Sequence, residues 1–361
     1  MRPLSATECI TPAIERTKLV LFSPFRMGRT WKLSATSYLY IMGTQYFPAP
    51  IIYLAFLPLA HRAGGMLAVT ILCAGVLVFT ALFTWIFHLC SRLQFAFFDI
   101  VVNRGELVAP AWRKYRSQSL RWTGFKLLAG TALTLVCAAP IVAYVRHLIP
   151  LFAVLKAIKP GQPPPVQFIA AFYGGYAVFM LLFGLFFLIS SLLADFILPS
   201  LALENTSLKE AFRRMAELIR REPGEFTIYV LLKLGLGLAA YMGSILLWEI
   251  VFLLATLIVG GVVLLLGFLL HLIGIPKVIL IVLGVLIAIA WYLFSLVYSL
   301  MLAIGPGLTF LEAYTLYFLG GRYPMLGDLL DQSTPPPPTP AAYPFPTSYL
   351  SYPPPPPQAI P

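Results

Sequence analysis

The sequence predicts an all-α, polytopic transmembrane helical bundle of about six spans with an internal duplication, and three observations carry that prediction. The 361 residues are 60% hydrophobic and only 11% charged, with a mean hydropathy of +0.87. A water-soluble domain carries about 25% charged residues, so too little polar sequence remains here to cover a soluble core. Several uncharged apolar windows reach the roughly 20 residues that cross a hydrocarbon core about 30 Å thick. Finally, Ala111-Trp112-Arg113-Lys114 and Ala211-Phe212-Arg213-Arg214 stand 100 positions apart between long apolar runs. Each follows a run containing an aspartate, Asp99 or Asp195, and precedes one with an early lysine, Lys126 or Lys233. A unit of span, basic loop and span used twice is the sequence mark of a duplicated membrane architecture.

The net charge of +11 reports topology rather than a nucleic-acid partner. Eighteen of the 25 basic residues fall in the N-terminal segment and the two repeated loops, against Arg62, Arg146, Lys156 and Lys159 on the opposite side. Cationic loops resist translocation, so one orientation satisfies the pattern: N-terminus and both loops cytoplasmic, in a multi-pass membrane protein. No separate basic domain exists to bind DNA. Anionic lipid headgroups are the expected partners of Arg113, Lys114, Arg116, Arg213, Arg214, Arg220 and Arg221. Residues 1–33 are expected as an interfacial amphipathic segment without a signal peptide: Thr11-Pro12 starts a helix, Arg16 and Lys18 alternate with Leu19 and Leu21, and Trp31 anchors it.

The first repeat, 34–165, has a span from Ser34 to Leu59 bent near Pro48 and Pro50, a turn at His61–Gly65, and a second span from Met66 to about Cys90 extending as helix to Val102. Its basic loop, 103–124, leads into a third span, Phe125–Val145, and an interfacial helix, Leu148–Lys159. The second repeat, 166–304, opens with Phe168–Leu203. That run is longer than a bilayer needs, so it tilts, breaks at Pro199 or projects beyond the membrane. Loop 204–225 follows. From Phe226 to Ile304 the sequence is almost wholly apolar. Two spans with a membrane-embedded segment at about Leu253–Gly274 leave the C-terminus inside, and three put it outside. Gly235, Ala239 and Gly243 recur at helical spacing and predict a close helix contact. Residues 305–331 read as an interfacial aromatic helix with Phe310, Tyr314 and Tyr317 on one face. From 332 to 361 there is no charge and two proline runs, which predicts a disordered, polyproline-like tail.

Charges within or beside the spans are the functional candidates, because each is expensive in lipid unless paired or wet. Asp195 and Lys233 lie at similar depth on adjacent spans and are expected to form an intramembrane ion pair; Asp99 and Lys126 are the shallower version. Such a pair more commonly fixes helix register than binds substrate or protons. His61, His88, His147 and His271 have no metal-ligand spacing, and Cys9, Cys73, Cys90 and Cys137 form no CxxC pair, so neither metal nor cofactor is expected. No GxSxG, P-loop or dinucleotide fingerprint appears, and no catalytic residue is assigned.

Leu21-Phe22-Ser23-Pro24-Phe25 with Gly28-Arg29-Thr30-Trp31, Asp195-Phe196-Ile197-Leu198-Pro199 with Glu210-Ala211-Phe212, and Tyr314-Thr315-Leu316 with Phe318-Leu319 carry a family likeness. Over residues 12–330 the chain resembles bacterial membrane proteins of unknown function, related to the membrane domain ahead of some glycerophosphodiester phosphodiesterases. The soluble phosphodiesterase barrel is absent, so the resemblance implies a fold and a location, the bacterial inner membrane, and not a reaction. The leading expectation is a non-enzymatic bundle that organises lipid or binds a membrane-protein partner or a second copy. The runner-up is a transporter or lipid-translocating protein working at the Asp195/Lys233 level, ahead of an intramembrane enzyme.

Overall fold

The computed structural model describes residues 2–44, 66–105, 107–156, 163 and 165–333. The outer half of the expected first span, the turn after it and the proline-rich tail lie outside the described residues. Every described element is a helix: α1 (Ile10–Phe22), α2 (Met27–Thr44), α3 (Met66–Asn103), α4 (Val108–Lys114), α5 (Arg116–Lys156), α6 (Val166–Glu204), α7 (Leu208–Arg221), α8 (Pro223–Leu272), α9 (Lys277–Gly320) and α10 (Pro324–Gln332). Four helices, α3, α6, α8 and α9, are long and apolar enough to cross a membrane, and the protein is membrane-embedded.

The helices share one packed end; toward the other, α5 stays joined to α6 through Tyr144 OH donating to Ala171 O at 2.8 Å, and α8 to α9 through the rings of Phe252 and Tyr292 at 6.0 Å. Phe95, Phe97 and Phe98 of α3, Trp122 of α5, Ile197 and Leu198 of α6, Tyr229 of α8 and Tyr314 and Phe318 of α9 are all buried in one aromatic-rich core. Away from it, α6 exposes large apolar side chains from Val166 to Ile189, α8 from Leu231 to Leu272, and α9 from Val278 to Val297. Apolar side chains bare on every face of a helix are stable only against lipid or another protein.

α1 joins the packed end instead of lying free in an interface. Ala13, Arg16, Thr17, Val20 and Leu21 are buried. Arg16, 1% exposed, donates from Nε to Val101 O at 2.9 Å, from Nη2 to Val102 O and to Ser333 Oγ, and from Nη1 to Ser333 O at 3.2 Å. Val101 and Val102 sit in the last turn of α3, where carbonyls lack helical partners and attract a cation. Alternating charge in this segment therefore marks an inward arginine, not a lipid-facing stripe.

Several expected boundaries disappear into longer helices. α6 runs unbroken through Pro199 to Glu204, where Asn205 turns left-handed with φ 52°. α5 continues through Pro140 and Pro150 to Lys156, absorbing the interfacial helix expected at Leu148. The segment expected to embed at Leu253–Gly274 is the distal part of α8, and the chain turns once before Pro276 into α9. The run 226–304 thus forms two helices, not three spans. α9 likewise passes Pro306, so 305–320 is no separate interfacial helix but a buried part of α9. Thr309 Oγ1 and Ser37 Oγ both donate to Gly305 O there, at 2.8 and 3.4 Å, and the second of these ties α9 to α2 beside the proline.

The predicted Gly235/Ala239/Gly243 contact is corrected in phase. A Cβ on Gly235 or Gly243 would meet nothing, whereas one on Gly307 would lie 3.1 Å from Ala240 Cβ and 3.4 Å from Ser244 Oγ. The contact stripe on α8 is Gly237, Ala240 and Ser244, the face that also carries buried Tyr229. Spacing of four repeats on several faces of so small-rich a run; burial of the aromatic residue selects which one packs.

Candidate functional site

Two buried polar clusters lie in the packed end, each built on a rising helix that carries an aromatic residue four positions before a lysine. In the first, Lys126 Nζ of α5 donates to Gly43 O at 2.7 Å, to Gln94 Oε1 at 3.0 Å and to Ser91 Oγ at 2.5 Å. Ser91 Oγ gives its own proton to Phe87 O at 2.8 Å. Three acceptors meeting one nitrogen match the three hydrogens of an ammonium. The rings of Phe87 and Trp122 lie 4.6 and 5.5 Å away and add cation–π attraction. Trp122 Nε1 also donates to Gln94 Oε1, at 2.9 Å, and Gln94 Nε2 donates to Tyr40 O at 3.4 Å. Gly43 is required by close approach: a Cβ there would stand 2.8 Å from the Cys90 backbone.

The expected Asp99–Lys126 pair is not formed. Asp99 sits over a turn lower on α3 than Gln94 and accepts from Lys114 Nζ at 2.8 Å and Tyr115 OH at 2.6 Å. Burial, followed by the hydrogen bond to that carboxylate, pushes the Tyr115 phenol up to about 12. The side-chain oxygen that does meet Lys126 is neutral, and a search for acids alone passes over it.

The second cluster brings together the pair the sequence suggests and adds four residues to it. Lys233 Nζ of α8 donates to Asp195 Oδ2 of α6, with the aspartate side chain fully buried and the lysine 12% exposed. Tyr229 OH donates to the same Oδ2 at 3.0 Å and lies 2.9 Å from Thr315 Oγ1 of α9. Lys233 also reaches Thr315 Oγ1, at 3.3 Å. Asp195 Oδ1 is buried with no hydrogen-bond partner. One turn from Thr315, Glu312 is 7% exposed, and it lies within electrostatic reach of Asp195, Lys233 and Tyr40 of α2. The Tyr229 ring stacks on Phe318 at 4.3 Å and meets the edge of Phe196 at 5.6 Å, closing the cluster below. Glu312 had a signal in the sequence, as the sole acid between Glu249 and the end of α9. Tyr40, Tyr229 and Thr315 had none beyond their polarity in apolar surroundings.

The basic loops divide into engaged and free arginines. Arg213 pairs with Glu210 at 2.8 Å and Glu217 at 3.8 Å, and Arg214 with Glu204 at 2.6 Å and Glu210 at 3.2 Å. Arg113, Arg116, Arg220 and Arg221 are exposed, and none of the ion pairs among the described residues involves them. Ser207 caps α7, accepting from Glu210 N at 3.3 Å. Between α6, α7 and the end of α9 opens a cleft of about 280 Å³, lined by Phe196, Ser200, Arg214, Met215, Arg221 and Leu319 among others. Among the described residues no group of three His, Cys, Asp or Glu side chains could hold a metal ion.

Residues 4–329 match a family of unknown function, DUF7544. The chain belongs to that family. No curated protein and no solved structure matches it. For this DUF7544 protein a functional reading therefore starts from the two clusters and the arginine-bearing loops.

Proposed function

We propose that this protein is a non-enzymatic, membrane-organising bundle of about six spans that gathers anionic lipid at the basic end, with the N-terminus and both loops on the cytoplasmic side of a bacterial inner membrane. The observation that carries this reading is the partition of charge: buried charges are locked in packed clusters, while Arg113, Arg116, Arg220 and Arg221 stand free beside long lipid-ready helices. Free guanidiniums at a membrane edge attract phosphate headgroups, each by about 1 kcal/mol. The likeness to membrane domains that accompany glycerophosphodiester phosphodiesterases fits a role next to lipid chemistry. The bare apolar helices also suit a membrane-protein partner or a second copy.

An internal duplication supports the six-span count. Gln94 lies ten residues before Arg104 and Asp195 ten before Asn205, and both of these end their helices with positive φ, 54° and 52°. Trp122 and Lys126 then correspond to Tyr229 and Lys233 at a constant offset of 107. This pairing matches Gln94, not Asp99, with Asp195.

Two measurements test the proposal. Cysteines replacing Arg116 or Arg220 should resist impermeant thiol reagents added outside intact cells; strong labelling of either reverses the orientation. In vesicles containing brominated anionic lipid, Trp112 fluorescence should be quenched more than in vesicles of brominated zwitterionic lipid, and less so after Arg113→Gln with Arg116→Gln. Lipid translocation is the second reading, favoured by the cleft whose floor, Phe196 and Leu319, lies next to Asp195 and Thr315. Rapid dithionite bleaching of inner-leaflet fluorescent lipid in proteoliposomes would establish it and displace the organising role.

A further inference from the structure

We infer that the cleft between α6, α7 and the end of α9 holds the phosphodiester headgroup of one anionic glycerophospholipid; this rests on the reading that the basic end meets lipid headgroups. Helix spacing builds the cleft. Arg214, Leu218 and Arg221 recur at i, i+4 and i+7, so one face of α7 turns two guanidiniums and a leucine toward Phe196 of α6 and Leu319 of α9. Arg214 gives Nε to Glu210 and Nη1 to Glu204, and no hydrogen bond among the described residues uses its Nη2. Arg221 is exposed and takes part in no hydrogen bond or ion pair among the described residues. Arg322, its side chain 5% exposed, is fixed in the facing wall by Glu222, Leu4 O and Phe318 O.

Around the cleft Lys209, Arg213, Arg214, Arg220, Arg221 and Arg322 stand against Glu204, Glu210, Glu217 and Glu222, a surplus of two positive charges. That surplus selects an anion. A phosphodiester accepts through two free oxygens and donates nothing, which suits guanidinium N–H groups that have no acceptor of their own. Glu217, the one acid in the lining, is answered by Arg213 at 3.8 Å. The apolar part of the lining, Phe196, Met215, Leu218 and Leu319, selects among anions, because free phosphate has nothing to lay against it. Phe196 and Leu319 lie near the loop-side ends of two helices long and apolar enough to cross a membrane. An acyl chain leaving the cleft can therefore follow the apolar face that α6 exposes. A volume of about 280 Å³ is close to the low end of small-molecule sites, roughly 300 Å³. It takes a glycerophosphate with the start of a chain, not a whole lipid.

The experiment is native mass spectrometry of the whole protein ejected from nanodiscs of equal parts phosphatidylglycerol and phosphatidylcholine. One phosphatidylglycerol per chain should survive the collisional energy that strips other lipids. Arg221→Gln should lower its retained fraction about tenfold, the worth of one charge-assisted hydrogen bond. In the wild type, where no variant has to fold, phosphatidylglycerol with a diazirine near its glycerol should crosslink to peptides containing 196–200, 214–221 or 319–323. Equal retention of the two lipids, retention unchanged by Arg221→Gln, or crosslinks confined to the distal parts of α8 and α9 overturns the proposal. So does inorganic phosphate that raises the melting temperature in detergent as much as phosphatidylglycerol does, the mark of a site for the free ion. Trp112 quenching reads lipid gathering in the first repeat, so it can persist when this site fails and fail when this site holds.

Discussion

Lys233 has one anionic partner, so the Asp195–Lys233 contact gives a sharp test by deletion. Removing one member of a buried pair strands the other, a loss of about 3–5 kcal/mol, while removing both leaves polar but neutral surroundings. Asp195→Ala should therefore lower the melting temperature in detergent more than Asp195→Ala combined with Lys233→Ala; equal losses would mean that the two side chains do not depend on each other. Lys126 should behave differently. With a neutral acceptor opposite it, Gln94→Leu leaves one fewer acceptor on an ammonium, and Gln94→Leu with Lys126→Met should recover most of that loss. At Cys9, burial pushes the thiol up to about 12, so N-ethylmaleimide at neutral pH should modify it only after denaturation, as read by mass spectrometry. Modification in the folded protein at the rate of a free cysteine would contradict its burial. The Asp195–Lys233 contact was legible in the sequence because opposite charges stood out against apolar runs at similar depth. Lys126 was legible as a buried cation but its partner was not, since Gln94 carries no charge to stand out.

At the scale of elements, α8 and α9 meet through residues whose size the contact dictates. Ala240→Leu forces its added carbons into Gly307, and overpacking of this kind destabilises by about 1–3 kcal/mol. Gly235→Leu, two residues before Gly237 of that stripe but facing outward, should leave the melting temperature unchanged or raise it, since leucine favours helix over glycine by up to about 1 kcal/mol. A larger loss from the Gly235 variant would reverse the assigned faces. Helix type and the existence of each long apolar element were readable from hydropathy. Helix ends were not: the boundary expected before Leu148 and the one expected near Pro306 both fall inside continuous helices, and the break that was one option at Pro199 does not occur. In a membrane neighbouring groups and small local adjustments can re-satisfy what a proline frees, so the helix continues. Local chain chemistry therefore mispredicts boundaries where tertiary surroundings are apolar.

The whole molecule is tied at one end by long-range polar bonds that no periodicity reveals. Arg322 donates to Leu4 O at 2.9 Å and pairs with Glu222 at 2.7 Å, while Arg16 fastens α1 to the ends of α3 and α10. Truncation should expose that arrangement: deleting 334–361 is expected to leave thermal stability unchanged, whereas deleting from Ser333 removes two acceptors of Arg16 and should lower stability by about 1–3 kcal/mol. If the shorter deletion already destabilises, the tail contributes contacts of its own. At the opposite end α8 contains 50 residues, about 75 Å of helix at 1.5 Å per residue, against a hydrocarbon layer of about 30 Å. A rod so much longer than the layer lies at a slant when its apolar length stays immersed, and its slant is set by membrane thickness. Its root carries Tyr229 and Lys233, so bilayer thickness acts on the Asp195 cluster as a hand acts on a lever, and membranes of different acyl length should hold that cluster under different leverage.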